Sequence, residues 1–271
     1  MLAIKNNIMS INAARHLGSS YDRLARSVER LSCGVRINNA RDDAAGLAVR
    51  ELMRADIAVL QQSSRNALDG ISMLQTFEGA MRTIDDMLVR LKQLAEQAAT
   101  GSYSSAQRTI MNDEFDELAA EIDRIAGAVE FNGNKLLNSA TATISIQFGT
   151  AVTDKIDVTG SDLTSSALGL SAASIGSAAS ARAALSTLST ALTTKDAARA
   201  AFGYKLNRLE STIAVINNQA ENLTAAESRI SEVEVAVEMT AIMRNQVLAQ
   251  AGVAMLSQAN AMPRLALTLL G

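Results

Sequence analysis

Residues 36–51 read RINNARDDAAGLAVRE, and this polar, turn-prone stretch runs directly into a helix-forming one. Its central aspartates, Asp42 and Asp43, can accept hydrogen bonds from the free N–H groups at a helix start and favour the positive end of the helix dipole. The small residues that follow, Gly46 among them, permit close approach by another chain segment. The stretch therefore predicts a helix start at Asp42 or Asp43 and a hinge between two helices.

Long helical patterns lie on both sides of this hinge. Before it, apolar residues repeat from Ile4 to Val35, and from Leu17 onward their spacing alternates between four and three residues, which is typical of a coiled-coil seam. After it, an apolar seam predicts a second helix from about Asp43 to Ala99. That helix would span roughly 85 Å at about 1.5 Å per residue, which is more than one compact domain needs.

Beyond the second helix the pattern changes several times. A third helix is predicted at about 106–128. Its inward-facing side chains are expected to be Ile110, Phe115, Leu118, Ile122 and Ile125. Between about 141 and 160 the period changes to two, which predicts a β-hairpin, and residues 160–181 are expected to form a surface connection with limited structure. A last helical pattern runs from about 180 to 261, where Pro263 is expected to limit it.

The composition favours an elongated helical protein over a compact enzyme. Hydrophobic residues make up 48% of the chain, but aromatic residues only 3%, with no Trp and a single Pro. Compact cores obtain much of their buried area from aromatic side chains, whereas Ala, Leu, Ile, Val and Met are typical of helix seams. We therefore predict a mainly α fold: an elongated antiparallel helical rod with paired N- and C-terminal coiled-coil helices and a small β-hairpin region mid-chain.

The sequence argues against catalysis, a cofactor or a metal site. His16 is the only histidine and Cys33 the only cysteine, and the motifs HExxH, CxxC, GxxxxGK[ST] and GxGxxG do not occur. The 25 basic residues are interspersed with 28 acidic ones, which disfavours nucleic-acid binding, and no apolar run is long enough to span a membrane. The N-terminus also lacks the apolar core and the cleavage site of a secretory signal peptide.

Several long stretches of the chain resemble bacterial flagellins, the subunits of the flagellar filament. In the N-terminal half these stretches are LSCGVRINNARDDAAGLAVRELM (31–53), SRNALDGISMLQTFEGAM (64–81), RLKQLAEQAATGS (90–102) and EIDRIAGAVEFNGNKLL (121–137). In the C-terminal half they are RISEVEVAVEMTAIMRNQVLAQAGVAMLSQAN (229–260) and residues 263–270. Because several long motifs occur in the same order, the resemblance is specific.

The resemblance implies an inner domain that lines the filament lumen, joined by a spoke to a rod domain. It assigns residues 1–42 to the N-terminal part of the inner coiled-coil domain and the spoke, 43–180 to the rod domain with its β region at 140–160, 181–230 to the C-terminal part of the rod, and 231–271 to the C-terminal part of the inner domain. Only residues 140–180 are available for the large outer domains of many flagellins, so we expect those domains to be absent.

The resemblance also implies a function and a set of partners. A flagellin-like chain leaves the cytoplasm through the flagellar type III export apparatus with an uncleaved signal and polymerises outside the cell into a tubular filament. The implied partners are further copies of the chain in a homopolymer, a flagellar export chaperone, the filament cap, the hook-junction proteins and the flagellin-sensing Toll-like receptor. The implied location is secreted, in the extracellular flagellum.

Three sets of contact residues follow from the resemblance. The spoke and subunit interface, expected to touch neighbouring subunits as well as its own chain, comprises Arg36, Asn38, Arg41, Asp42, Asp43 and Arg50. The residues that match the receptor-recognition pattern are Arg90, Leu94 and Glu114. The expected contacts of the export chaperone are Val247, Leu248, Met255, Leu256, Leu267 and Leu270.

Three alternative functions remain open at this point. A hook–filament junction protein also pairs terminal coiled coils, although it usually matches the DDAAGLA and MLSQAN regions less closely. A flagellin with an inserted protease would need a zinc motif mid-chain, where HExxH does not occur. A soluble coiled-coil adaptor would form an oligomer of fixed size, whereas a filament subunit would form long polymers.

Overall fold

The protein is mainly helical in a computed structural model that describes residues 6–270, with side chains described as far as Met262. The helices are α1 (Ile8–Cys33), α2 (Ala44–Ala99), α3 (Ser105–Ala128), α4 (Ala178–Ser231) and α5 (Val235–Leu270). Strands β1 (Thr143–Gln147) and β2 (Lys155–Thr159) pair antiparallel, with Ser145 opposite Asp157. The prediction of a mainly α fold with a small β-hairpin mid-chain is confirmed.

The described residues form two compact units. The terminal unit contains residues 6–57 and 221–270, so it is built from both ends of the chain. The central unit is Ala58–Ala220, which includes most of α2, all of α3, the β-hairpin and most of α4.

In the terminal unit α1 and α5 pack antiparallel. The side-chain amide of Asn7 donates to the carbonyl oxygen of Ala259 at 2.7 Å, and Gly252 lies against Leu17. Near the other end of α1, the backbone N–H of Arg36 donates to the carbonyl oxygen of Ser231 at 2.6 Å. The expected pairing of the N- and C-terminal helices is therefore confirmed.

The central unit contains the large hydrophobic core. Phe77 of α2 and Phe115 of α3 are fully buried, as are Leu136 and Leu137, which follow α3, and Val158 of β2. The alternating strand pattern places Ile146, Ile156 and Val158 inward, so the hairpin covers the helices with one face.

Polar side chains set the register of α2 against α4 in this unit. Ser64 donates to Asn217 at 3.3 Å, the guanidinium of Arg199 lies 3.0 Å from Glu78, and the ammonium of Lys195 lies 2.5 Å from Asp85. Residue numbers rise along one helix while they fall along the other, so the two helices run antiparallel.

Lys195 is the most deeply buried charged residue of the described chain. It is 1% exposed, and its ammonium also contacts Asp196 at 2.6 Å. Burial by itself lowers the pKa of Lys195, but hydrogen bonds from its ammonium to Asp196 and Asp85 outweigh burial and raise the pKa above the ordinary value of lysine.

The expectation of limited, surface-exposed structure between 160 and 181 is wrong in one respect. The backbone from 160 to 177 is irregular, yet Leu163, Leu168, Leu170 and Ile175 are buried in the core. Side chains of α3 hold this segment in place. The carboxylate of Asp123 accepts from the backbone N–H and the hydroxyl of Ser165 at 2.7 and 2.6 Å, and Asn112 accepts from the N–H of Ile175 at 2.8 Å.

Two further expectations about the helices are wrong. The last helical pattern forms two helices, because the chain leaves helical geometry between Ser231 and Val235, and α5 continues past Pro263 to Leu270. A proline keeps a helical φ but removes its own N–H donor and crowds the carbonyl group four residues earlier, so a helix can continue through it only at a cost. In α3, Ile110 is 70% exposed rather than inward-facing, and Met111 is buried in its stead.

Candidate functional site

The candidate site is the joint, which we define as residues 34–50, between the end of α1 and the first turns of α2. Gly34 ends α1 in the left-handed conformation, with a φ of 72° that a residue with a side chain rarely adopts. The chain then pairs with the segment that joins α4 to α5. Val35 and Glu232 form an antiparallel bridge, and the N–H of Val233 donates to the carbonyl oxygen of Gly34 at 3.1 Å.

Arg36 strengthens this connection between the two passes of the chain. Its guanidinium donates to the carbonyl oxygen of Ile230 at 2.9 Å, near the C-terminal end of α4. The last carbonyl groups of a helix lack partners within the helix, so a cation there satisfies them and also interacts favourably with the helix dipole. Arg36 therefore ties the beginning of the joint to the end of α4.

Asp42 stabilises the turn inside the joint rather than the start of α2. Its carboxylate accepts from the backbone N–H groups of Asn39 and Asn38 at 3.2 and 3.4 Å and from the guanidinium of Arg30 at 3.1 Å. The hydrogen bond from Asn39 and the contact with Arg30 lower the pKa of Asp42 against the opposing effect of burial. Asn38 in turn donates to Glu29 of α1 at 2.7 Å.

Asp43 starts α2, so the predicted cap falls on the second of the two aspartates. Its carboxylate accepts from the N–H of Gly46 at 2.9 Å, and its carbonyl oxygen accepts from the N–H of Leu47 at 3.0 Å. Gly46 is also where the joint folds back on the helix. A Cβ at this position would lie 2.8 Å from the δ-carbon of Ile37, which is buried.

Arg50 closes the joint from the α2 side. Its guanidinium donates to the carbonyl oxygen of Ile37 at 2.6 Å and also forms an ion pair with Glu51 at 2.7 Å. Arg41 differs from the other predicted joint residues: it is exposed, and among the described residues its side chain has no hydrogen bond or ion pair. The structure thus brings all six predicted residues into one joint, and it adds Glu29, Arg30 and Ile37 as partners that no sequence motif indicated.

Large apolar side chains of α1 and α5 are exposed in the terminal unit. They include Ile8, Met9 and Ile11 of α1 and Met243, Val247, Val253 and Met255 of α5. Of the expected chaperone contacts, Val247, Leu248 and Met255 are exposed and Leu256 is half-buried, whereas the side chains of Leu267 and Leu270 lie outside the described residues. Several large exposed apolar side chains on one pair of helices are typical of an interaction surface.

The residues that match the receptor-recognition pattern lie in the central unit. The guanidinium of Arg90 in α2 donates to the carboxylate of Glu114 in α3 at 2.9 and 2.6 Å, and both side chains are about half exposed. Leu94 is only 2% exposed and packs in the core. Arg90 and Glu114 are therefore bonded to each other, and of the three residues only these two charged ones offer surface to a partner.

Other kinds of site receive no support from the described part of the chain. No group of three or more His, Cys, Asp or Glu side chains there is arranged to hold a metal ion. Among the same residues, no helix is long and apolar enough to cross a membrane.

Comparisons with known proteins agree over nearly the whole chain. The family model for the bacterial flagellin N-terminal helical region matches residues 4–142, and that for the C-terminal helical region matches 185–270. A flagellin of Halalkalibacterium halodurans is 40% identical and a flagellin of Bacillus subtilis 38% identical, and each alignment covers 99% of this chain and 100% of the relative. The flagellar filament 33 kDa core protein of Treponema phagedenis is 38% identical, with the same coverage.

Solved structures are similar as well. The crystal structure of Bacillus cereus flagellin has a TM-score of 0.52 and 33% identity, covering 60% of this chain and 94% of that chain. A putative flagellar hook-associated protein from Vibrio parahaemolyticus has a TM-score of 0.59 but only 12% identity, covering 70% of this chain and 100% of that chain, so it shows a shared fold alone. Because both flagellin models match in chain order and full-length relatives align from end to end, the chain belongs to the bacterial flagellin family and is a structural subunit of the flagellar filament.

Proposed function

We propose that the joint is an assembly contact, at which the terminal unit of one copy meets a neighbouring copy in the filament. The observation that carries the proposal is the contrast between Arg41 and the rest of the joint. Arg36, Asp42 and Arg50 hold the joint in one geometry through bonds to their own chain, while Arg41 projects with no partner of its own among the described residues. A preorganised backbone that presents an unpaired arginine is suited to a polar contact in another molecule.

The exposed apolar side chains of α1 and α5 would supply most of the affinity between copies. Polar contacts at an interface contribute more to register and specificity, whereas buried apolar area contributes free energy. In this proposal residues 1–42 and 231–271 form the inner domain that lines the filament lumen, the joint is the spoke, and 43–180 with 181–230 form the rod.

Replacing Arg41 tests the joint directly. Arg41→Ala should leave the thermal midpoint and the helical circular dichroism of the monomer unchanged, because the side chain forms no hydrogen bond or ion pair with any described residue. It should raise the critical concentration for polymerisation by about tenfold, the effect of losing roughly 1.4 kcal/mol of charge-assisted contact. The matched control is Arg41→Lys, which keeps the charge and should retain most of the assembly. An Arg41→Ala protein that polymerises like the parent would contradict the proposal.

The filament role itself has a simple test. Purified protein should form long tubular filaments in electron micrographs after salt-induced assembly, with or without seeds of native filament fragments. An oligomer of fixed size, even in the presence of seeds, would instead favour a coiled-coil adaptor.

We also propose that the protein is secreted through the flagellar export apparatus and that an export chaperone first covers the C-terminal apolar surface. The exposure of Val247, Leu248 and Met255 supports this step, because such side chains promote aggregation when no partner covers them. Binding of a purified flagellar export chaperone should weaken strongly for the variant Val247→Ser/Leu248→Ser. A variant with the same changes at Val59 and Leu68, which are exposed in the central unit, should bind normally. The filament cap and the hook-junction proteins are the partners proposed for the two ends of the polymer.

Recognition by the flagellin-sensing Toll-like receptor is a further proposal for the central unit. Arg90 and Glu114 are available to such a partner, and Leu94 would act by packing beneath them. Arg90→Ala should reduce receptor activation in a reporter-cell assay without changing the thermal midpoint, since the ion pair is half exposed and contributes little to stability. Equal activation by Arg90→Ala and the parent would remove this residue from the contact.

A further inference from the structure

Most methionine residues of the terminal unit are exposed, whereas those of the central unit are buried or half-buried; Met53, in the terminal unit, is half-buried. In the terminal unit Met9, Met239, Met243, Met255 and Met262 have exposed fractions between 37% and 65%. In the central unit Met73, Met81 and Met111 are buried and Met87 is half-buried. A thioether is readily oxidised when solvent reaches it, so the terminal unit carries the vulnerable sulfur atoms of the described chain.

Three of the exposed methionines share one groove between α1 and α5. Met9, Met255 and Met262 line a groove of about 450 Å³, together with small residues such as Ala13 and Gly252. The helices are held together beside it: Asn7 donates to the carbonyl oxygen of Ala259 at 2.7 Å, and Ser10 donates to Asn260 at 2.7 Å. The groove is therefore a defined apolar surface rather than a gap between loose helices.

A second copy of the chain is the occupant that suits this groove. The chain is a filament subunit, and its own terminal unit exposes the apolar side chains of Ile8, Ile11 and Val253, which a neighbouring copy would present to the groove. Methionine is flexible and polarisable, so it can pack against such side chains without exact shape complementarity. This step rests on the proposed assembly through the terminal unit.

We propose that Met9, Met255 and Met262 form a peroxide-sensitive modification site that blocks assembly when its sulfur atoms are oxidised. In the reaction a lone pair on the thioether sulfur attacks one oxygen of hydrogen peroxide and the O–O bond breaks. The sulfur gains an S–O bond and is oxidised to the sulfoxide, while the second oxygen leaves as water after a proton transfer. Each sulfoxide places a polar oxygen in a groove whose neighbouring copy offers apolar side chains, so burial leaves that oxygen without a hydrogen bond.

The test compares polymerisation before and after treatment of the monomeric protein with hydrogen peroxide. Peptide mass spectrometry should show a gain of one oxygen at each groove methionine before any gain at Met73 or Met81. The treated protein should have a critical concentration raised by about tenfold or more, the effect expected for burial of unpaired polar groups. Incubation with methionine sulfoxide reductases should then restore assembly.

Variants assign the effect to the groove. Met9→Leu/Met255→Leu/Met262→Leu should still assemble after peroxide treatment, because leucine has a similar volume and no sulfur. The matched control Met239→Leu/Met243→Leu removes two exposed methionines that do not line the groove, so peroxide should inhibit it as strongly as the parent.

The outcomes separate this inference from the proposed assembly. Untreated protein that forms no filaments would contradict the assembly proposal. Filaments that form equally well from fully oxidised protein, or a leucine triple variant that peroxide still inhibits, would overturn the modification site alone. If the triple variant assembles poorly without peroxide, the oxidised parent provides the test instead. Assembly that returns after reductase treatment supports the inference, and assembly that does not return overturns it.

Discussion

Removing the two partners of the Asp85–Lys195 ion pair one at a time should have unequal effects on the stability of the central unit. The side chain of Lys195 is 2% exposed, whereas that of Asp85 is 30% exposed. Asp85→Ala leaves the ammonium buried with only Asp196, at 2.6 Å. Lys195→Met instead leaves two carboxylates that water can reach, since the side chain of Asp196 is 66% exposed.

The magnitudes follow from these exposures. Breaking a buried pair so that one charge stays buried costs about 3–5 kcal/mol, and the remaining contact with Asp196 should reduce the cost of Asp85→Ala to about 1–3 kcal/mol. Methionine fills a volume close to that of the lysine stem, so Lys195→Met should change the free energy of unfolding by less than about 1 kcal/mol. The double variant Asp85→Leu/Lys195→Met should be about as stable as the parent or more stable.

Urea unfolding of the monomer, followed by circular dichroism below the critical concentration for assembly, measures these differences. The pH dependence supplies an independent check. The pKa of Lys195 is raised in the folded protein, so its contribution is fully present below the unfolded-state pKa and is lost as the pH rises through the folded-state pKa, above about pH 10.4. The reasoning is refuted if Lys195→Met destabilises the protein more than Asp85→Ala does, because the burial of the lysine would then not decide the cost.

Three further predictions concern the joint. Asp42→Ala/Asp43→Ala should lower monomer stability by only about 1–2 kcal/mol, through the lost cap of Asp43 and the lost turn contacts of Asp42, yet should raise the critical concentration for polymerisation by about tenfold. A double variant that loses more monomer helicity than assembly would contradict this. Gly46→Ala should destabilise the protein by about 1–3 kcal/mol in thermal unfolding, because its Cβ would lie 2.8 Å from Ile37, whereas Gly18→Ala, with nothing within 4 Å, should be neutral or stabilising. Because the pKa of Asp42 is lowered on folding, its contribution is present above the unfolded-state pKa and is lost as the pH falls below about 4; Asp42→Asn should abolish that part of the acid dependence of the thermal midpoint.

Helix positions were predictable where a helix carries one continuous apolar seam. The second helix was expected at about 43–99 and α2 is Ala44–Ala99, and the third was expected at about 106–128 and α3 is Ser105–Ala128. The start of each of these helices carries a local signal, the caps Asp43 and Ser104, that acts within a few residues. Local chemistry of this kind is fully contained in the sequence.

Errors arose where distant residues decide the local structure. The chain leaves helical geometry at 232–234 because Glu232 and Val233 pair with Val35 and Gly34, about two hundred positions earlier. The segment 160–177 is ordered by Asp123 and Asn112 of α3 although it has no period of its own. Met111 is buried and its neighbour Ile110 is exposed, which the hydrophobicity of the two side chains does not distinguish.

In the candidate joint, too, some features were predictable from the sequence and others depend on the fold. Its location was predictable from RINNARDDAAGLAVRE, because a polar stretch with adjacent aspartates between two seams predicts a cap and a hinge. That its six polar residues contact neighbouring subunits stays a prediction. The role of each side chain within the joint was not predictable. Asp43 caps the helix while Asp42 binds the turn and Arg30, and Arg50 reaches the carbonyl oxygen of Ile37.

The sequence by itself determined the helical class of the protein, the position of the joint and the family, since periodicity, capping residues and long motifs are properties of neighbouring positions. Only the tertiary structure decided which charges pair, which methionines are exposed and which arginine of the joint has no partner among the described residues. Those outcomes depend on side chains far apart in the chain that meet only when α1 packs on α5 and α2 packs on α4. Exposure and pairing follow from that packing, and packing is a property of the whole fold.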